Sequence, residues 1–240
     1  MRKTLVRQPF GLGDIIYTRK IYHYFNKATG VVWPIIDKYL WLNDYLEGAG
    51  YVPLSSMKEH KHLFNDPYPC RETNKLTEVG DYKFIPLNTS NIIKGGLLMR
   101  SKYDIVGLSF EDWQEYFDLK RNHLKELELY NKFNINEPYA LVNRYFRPTN
   151  VRANIPVKTD LRIIEMSTLE GYTLFDWSLI LEKATEIWTM DTSLTLLTEK
   201  LNLSNIKKLK LFTRHGTIKQ CEYLYRLPWE ITCYSRCNRA

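Results

Sequence analysis

Short β-branched runs alternate with segments of helical period along this chain, and that alternation limits its fold more than any other feature. In the second half, YALVNRYF (139–146), LRIIEMS (161–167), EIWTMD (186–191) and KKLKLFT (207–213) read as strands. Between them, YTLFDWSLILEKA (172–184) and TSLTLLTEKLN (192–202) read as helices, the first opened by a capping box from Thr173 to Asp176. Strands separated by helices cannot pair as hairpins, so the pattern predicts parallel sheets assembled from βα units.

The first half carries the same signal less evenly. TLVRQ (4–8) reads as a strand and DIIYTRKIYHYF (14–25) as a helix, with Ile15, Ile16, Ile21, Tyr22 and Phe25 at near-helical spacing. GVVWPIID (30–37) is an apolar run whose proline favours a strand end, and a short helix is expected around LWLNDYLE. Residues 50–101 are rich in turn formers, with VGDYKFIPLN (79–88) their clearest strand. After the apolar run YDIVGLS (103–109), a capping box from Ser109 to Asp112 predicts a long helix to about Asn131, with Trp113, Phe117, Leu124, Leu127 and Tyr130 on its apolar positions. NINEP (134–138) reads as a linker. The expectation is an α/β protein of two Rossmann-like domains, residues 1–134 and 138–240.

The length, 240 residues with 44% hydrophobic and 25% charged, suits such a globular chain. The basic N-terminus lacks the apolar stretch of a signal peptide, and no run reaches the roughly 20 apolar residues of a spanning helix. A cytoplasmic protein is expected. Cys70, Cys221, Cys233 and Cys237 fit no zinc spacing and read as free thiols. The formal net charge is +7 and unevenly placed: residues 205–240 hold eight Lys/Arg against Glu222 and Glu230, a net +6. A basic end of this kind implies an anionic partner, either a phosphorylated small molecule, an acidic polymer or a membrane surface, or else simply a solvated face.

Two turns carry the candidate chemistry. In GLGD, Gly11 and Gly13 flank Leu12 where the first strand becomes a helix, and Asp14 falls in the first helical turn. Glycines there permit positive φ and close approach of a ligand to the backbone, at a helix mouth whose free N–H groups suit an anion. In WTMDTSLTLLTEKL, a strand runs into Asp191, Thr192 and Ser193 before the next helix, a turn suited to a diphosphate or a ribose. Taken separately, each is equally a helix cap.

Together and in this order, the two turns resemble those of the heptosyltransferase-like glycosyltransferases of the two-domain GT-B fold, with this chain a short, divergent relative. Leu12-Gly13-Asp14 matches the family's first turn. Ala184, Ile187, Asp191, Thr192 and Ser193 match its later stretch, although Thr195–Leu197 holds no histidine where the family has one. The resemblance implies two Rossmann-like domains facing a central cleft, and a nucleotide-diphosphate sugar as donor and co-substrate. It implies Asp14 as catalytic base and inversion at the anomeric carbon. For the leaving diphosphate the chain offers Arg144, Arg147, Arg152 and Lys158, with Thr192, Ser193 and their amides completing a cradle. Glu165 is a candidate acceptor from the nucleoside or ribose, or alternatively a salt-bridged glutamate. No cofactor and no metal are expected. The acceptor would be a glycan or lipid-linked glycan, with the basic C-terminal region available to a membrane surface.

Other readings stay open. A nucleic-acid-binding protein would use the basic end, though no recognition motif supports it. A different Rossmann-like enzyme, such as an epimerase or nucleotidyltransferase, would fit the alternation, but no complete dinucleotide fingerprint is present. A non-catalytic remnant of a glycosyltransferase is the last.

Overall fold

A computed structural model of the chain describes residues 2–8, 11–64, 77–87, 98–145, 152–213 and 218–234. The chain divides into two units, Met1–Lys120 and Arg121–Ala240.

The first unit starts with β1 (Lys3–Val6), followed by α1 (Leu12–Tyr17) and α2 (Arg19–Thr29). The sequence predicts one helix there, but the chain breaks at Thr18, whose hydroxyl donates to the Asp14 carbonyl at 2.6 Å. Such back-bonding competes with the helical ladder and bends it. The apolar run beyond divides into β2 (Val31–Val32) and β3 (Pro34–Ile35). After the short α3 (Leu42–Tyr45) comes β4 (Val52–Pro53), which pairs in parallel with β3. VGDYKFIPLN is not one strand: Gly80, at φ +55°, turns β5 (Thr77–Val79) back antiparallel onto β6 (Tyr82–Ile85). The sheet order is β2-β1-β6-β5, with β2, β1 and β6 parallel. Leu5 and Phe84 pack under Phe64, while Ile15, Ile16, Ile21, Tyr22 and Phe25 are buried from α1 and α2.

YDIVGLS falls largely within α4 (Leu98–Val106), which ends at Gly107 with φ +69°. The expected helix from 109 to 131 does not form. A 3₁₀ turn at Trp113–Tyr116 gives way to extended chain, where Leu119 bridges Leu46 and the Lys120 N–H donates to the Tyr45 carbonyl at 2.8 Å. Helix resumes as α5 (His123–Lys132), capped by Asn122, whose Oδ1 accepts the Lys125 N–H at 3.2 Å. Leu124 and Leu127, assigned to the buried stripe by spacing, are 83% and 50% exposed. The division between units therefore falls ahead of α5 and not at 134–138. The physical tie is local: Arg121 binds Glu126 and, at 2.9 Å, Glu182, and Phe133 lies 5.4 Å from Trp177.

The second unit follows the predicted alternation up to residue 213, while the helix and strand beyond it have no counterpart in the sequence reading. Its strands are β7 (Tyr139–Asn143), β8 (Arg162–Glu165), β9 (Glu186–Met190), β10 (Lys208–Thr213) and β11 (Glu230–Cys233). Its later helices are α6 (Ser178–Lys183), α7 (Ser193–Thr198) and α8 (Ile218–Leu224), and the Thr173–Asp176 capping box stands at the start of the turn into α6. All five strands are parallel, in the order β11-β10-β9-β7-β8. One face of the sheet buries Ala140, Val142, Trp188, Met190 and Phe212 under Ala153 and Ile155 of the β7–β8 crossover. The described part of that crossover contains no helix. The basic end is partly architectural. Lys208 stacks over Trp188 at 4.7 Å and Lys210 pairs with Glu230, whereas Arg214, Arg236 and Arg239 lie outside the described residues. Cys221 is buried and Cys233 exposed, neither in a disulfide among the described residues, whereas Cys70 and Cys237 lie outside them. Among the described residues no helix is long and apolar enough to cross a membrane.

Candidate active site

In the first unit, Gly11 stands at the mouth of α1 in the left-handed region, φ +80°. A Cβ built on it would lie 2.1 Å from Asp14 Oδ2. The carboxylate occupies the space a side chain would fill, so the turn requires glycine for its backbone conformation and for the space alike. Gly13 lies in the first turn of α1. Asp14 Oδ1 sits 3.2 Å from Lys102 Nζ on α4, and the same ammonium donates to Gln8 Oε1 at 2.5 Å and to the Leu87 carbonyl at 2.9 Å. The Lys102 side chain is 5% exposed and that of Asp14 30%. A sealed cation thus anchors a carboxylate that still reaches solvent. Burial, then the Asp14 charge, pushes the Tyr39 phenol above its ordinary value.

In the second unit the strand order reverses between β7 and β9. Connections leave the two strands toward opposite sides there, which opens a crevice at their carboxyl ends. Asn143 ends β7 on one wall, and Asp191, Thr192 and Ser193 follow β9 on the other. Asn143 Nδ2 donates to Thr189 Oγ1 at 3.1 Å and to Thr192 Oγ1 at 3.3 Å. Thr192 caps α7, its hydroxyl oxygen accepting the Leu194 N–H at 3.3 Å, and Ser193 starts the helix half-buried. Thr192→Ala is expected to cost about 1 kcal/mol, as lost N-caps do, read from a urea unfolding curve. Beside this crevice opens a cavity of about 600 Å³ lined by Asn143, Tyr145, Arg152, Met166, Tyr172 and Trp177.

Asp191 does not present its carboxylate to the crevice. Tyr225 Oη donates to its Oδ1 at 2.6 Å and the Cys221 thiol lies 3.8 Å from its Oδ2. Burial first, then the neighbouring Asp191 charge, raises the Tyr225 phenol well above its ordinary value, keeping it a donor. Asp191 pins the turn from beneath.

The candidate cations meet Glu165. Arg144 Nε donates to Glu165 Oε1 at 2.9 Å while its Nη1 donates to the Ile155 carbonyl at 2.7 Å. Arg152 Nη2 donates to both Glu165 oxygens at 2.8 Å. Partial burial alone would raise the Glu165 carboxyl, but the hydrogen bonds and charges of the two arginines hold it below its ordinary value. Glu165 is thus the salt-bridged glutamate of the two expectations. Lys158 is exposed, and Arg147 lies outside the described residues. A second cavity, of about 540 Å³, is lined by Arg144, Arg152, Asn154 and Val157.

The lowered Glu165 value has a defined pH signature. Its contribution is complete above the ordinary carboxylate value and is lost as pH falls through the lowered one. Compared with Glu165→Gln near neutral pH, the native chain is expected to be more stable by about 1 kcal/mol or less, given the exposure of Arg152. Urea titrations repeated in increasingly acid buffer should show the gap closing; a constant gap would assign it to packing.

Lys102, Gln8, Asn143 and Tyr225 escape the sequence reading. Asn143 had a local signal, a polar residue ending an apolar strand. Lys102 lies where no period is evident, and Tyr225 meets Asp191 across 34 residues.

No family profile matches the sequence, and no curated protein matches it. Among solved structures, the fold is similar to that of a glycosyl transferase family 9 protein from Veillonella parvula. The TM-score is 0.52 at 8% identity, over 97% of this chain and 85% of that one. At such identity the likeness concerns the fold: mixed α/β, with parallel sheets, of GT-B-like character.

Proposed function

We propose that this chain transfers a sugar from a nucleotide-diphosphate donor to an acceptor hydroxyl, with inversion and without a metal ion. The observation that supports this most is that the fold likeness to a glycosyl transferase spans both units, and in the first it coincides with a solvent-reaching carboxylate, Asp14, held at the strand-to-helix turn.

Asp14 accepts the proton of the acceptor hydroxyl as its oxygen bonds to the anomeric carbon. The bond from that carbon to the diphosphate oxygen breaks on the opposite face, and the electron pair leaves with the diphosphate. Arg144 and Arg152 neutralise the departing charge, joined in this reading by Arg147 and Lys158. Thr192 and Ser193 line the crevice, while Asp191 supports the turn. The acceptor is a glycan or lipid-linked glycan.

Calorimetry with UDP-, GDP- and ADP-sugars, followed by transfer assays on glycan acceptors, tests this directly. One donor is expected to bind and turn over, and excess chelator should leave the rate within about twofold, since charge stabilisation comes from arginine. Loss of the rate on chelation with recovery on adding Mg²⁺ or Mn²⁺ would remove the metal-independent part. Absence of binding to every donor would remove the rest.

A further inference from the structure

We infer that Glu165 is a built-in anion occupying the phosphate site formed by Arg144 and Arg152, and that a diphosphate binds there by displacing it from Arg152. The identity of the diphosphate as part of a nucleotide sugar rests on the reading above; the exchange itself does not.

Two guanidinium groups converge on a single carboxylate, so the cluster keeps one uncompensated positive charge. The two arms differ. Arg144 is 15% exposed and tied a second time, to the Ile155 carbonyl at 2.7 Å. Arg152 is 57% exposed and reaches both carboxylate oxygens through one nitrogen, Nη2. That is not the parallel two-nitrogen fork that makes arginine–carboxylate pairs strong, and an exposed pair of this kind is held weakly. Arg144 is therefore the fixed half of the site and Arg152 the half that exchanges.

Position agrees with chemistry. Arg152 lines both cavities of the second unit, the one beside Asn143 and the one bounded by Asn154 and Val157. A modest rotation of its side chain carries the guanidinium from Glu165 toward either. A diphosphate offers more charge and more oxygens than one carboxylate, so the exchange favours it. No bond is made or broken; Glu165 returns to solvent. The carboxylate offsets the repulsion between the two arginines and keeps them converged.

The consequence has an unusual sign: removing an acidic residue from the site tightens anion binding. Calorimetry on the full chain at fixed ionic strength, with inorganic pyrophosphate, inorganic phosphate and nucleoside diphosphates as probes, reads it. Glu165→Gln is expected to bind pyrophosphate about two- to fivefold more tightly than the native chain, the scale of one exposed ion pair. Arg152→Gln is expected to bind it at least about tenfold more weakly, as loss of a charged donor does. Monophosphate should gain less than pyrophosphate. Unchanged or weaker pyrophosphate binding in a folded Glu165→Gln protein would overturn the inference, as would unchanged binding in Arg152→Gln. Should Glu165→Gln not fold, the ¹⁵Nε signals of the native chain decide: Arg152 must shift and saturate with pyrophosphate, and a silent Arg152 rejects the exchange. Tightened pyrophosphate binding without any sugar transfer would leave this inference standing and discard the glycosyltransferase reading. Transfer with no effect of Glu165→Gln would do the reverse.

Discussion

Asp14→Asn is expected to lower sugar transfer about 10²–10⁴-fold, the usual worth of a positioned general base, with donor affinity almost unchanged. The substitution isolates the proton-accepting role. Asparagine has the same shape, so it fits the space above Gly11 that the carboxylate now fills. Its Oδ1 can still accept from Lys102, which retains Gln8 and the Leu87 carbonyl, so α4 remains anchored. The loss should therefore fall on kcat and not on KM, the pattern of an interaction made in the transition state alone. Steady-state kinetics on a variant whose circular dichroism shows it folded check it, with some loss of thermal stability expected from the buried Lys102 ammonium. A variant that transfers normally would reduce Asp14 to an anchor for Lys102, and the base would have to be sought elsewhere.

Trp188→Ala is expected to destabilise the chain by about 3–5 kcal/mol, the range for truncating a buried large aromatic. Trp188 is 2% exposed in the centre of the second unit's sheet. Its ring stacks on Phe212 at 6.4 Å and carries Lys208 above it, while its indole N–H donates to Glu186 Oε2 at 2.7 Å. The same face holds Ala153 and Ile155 of the crossover. The effect should therefore extend past stability: the backbone that presents Arg152 loses its floor, so pyrophosphate affinity should fall even where the variant is folded. Chemical unfolding monitored by circular dichroism gives the first quantity and calorimetry the second. A cost below about 1 kcal/mol would mean that the crossover collapses onto the vacated space.

These two sites differ in how far they can be read from residues alone. The second unit's central strands, β7 and β9, are apolar because they are buried on both faces, so they are visible in the sequence, whereas the exposed edge strand β11 is not. The Thr173–Asp176 capping box is equally local and stands where spacing puts it. The helix expected across 109–131 fails for a reason no window of residues contains. Trp113 and Phe117 fit its apolar stripe, but Leu119 pairs with Leu46, some seventy positions away, and the Asn122 cap then restarts the helix. Asp191 misleads in the same way. Its spacing suits a ligand-facing turn, yet its partner is Tyr225, on the far side of β10 in the chain. Asp14 is legible because glycine at position 11 and the carboxylate are neighbours. Its anchoring lysine, 88 residues on, is not.

Along Arg152–Pro156, exposed and buried residues alternate strictly: Arg152, Asn154 and Pro156 outward, Ala153 and Ile155 inward. A one-residue slip would drive a guanidinium into hydrocarbon and push isoleucine into water, two penalties of the same sign. The phasing of a helix-free segment is thereby locked by its own side chains, and deleting any single residue from it should abolish the anion site before it unravels the sheet.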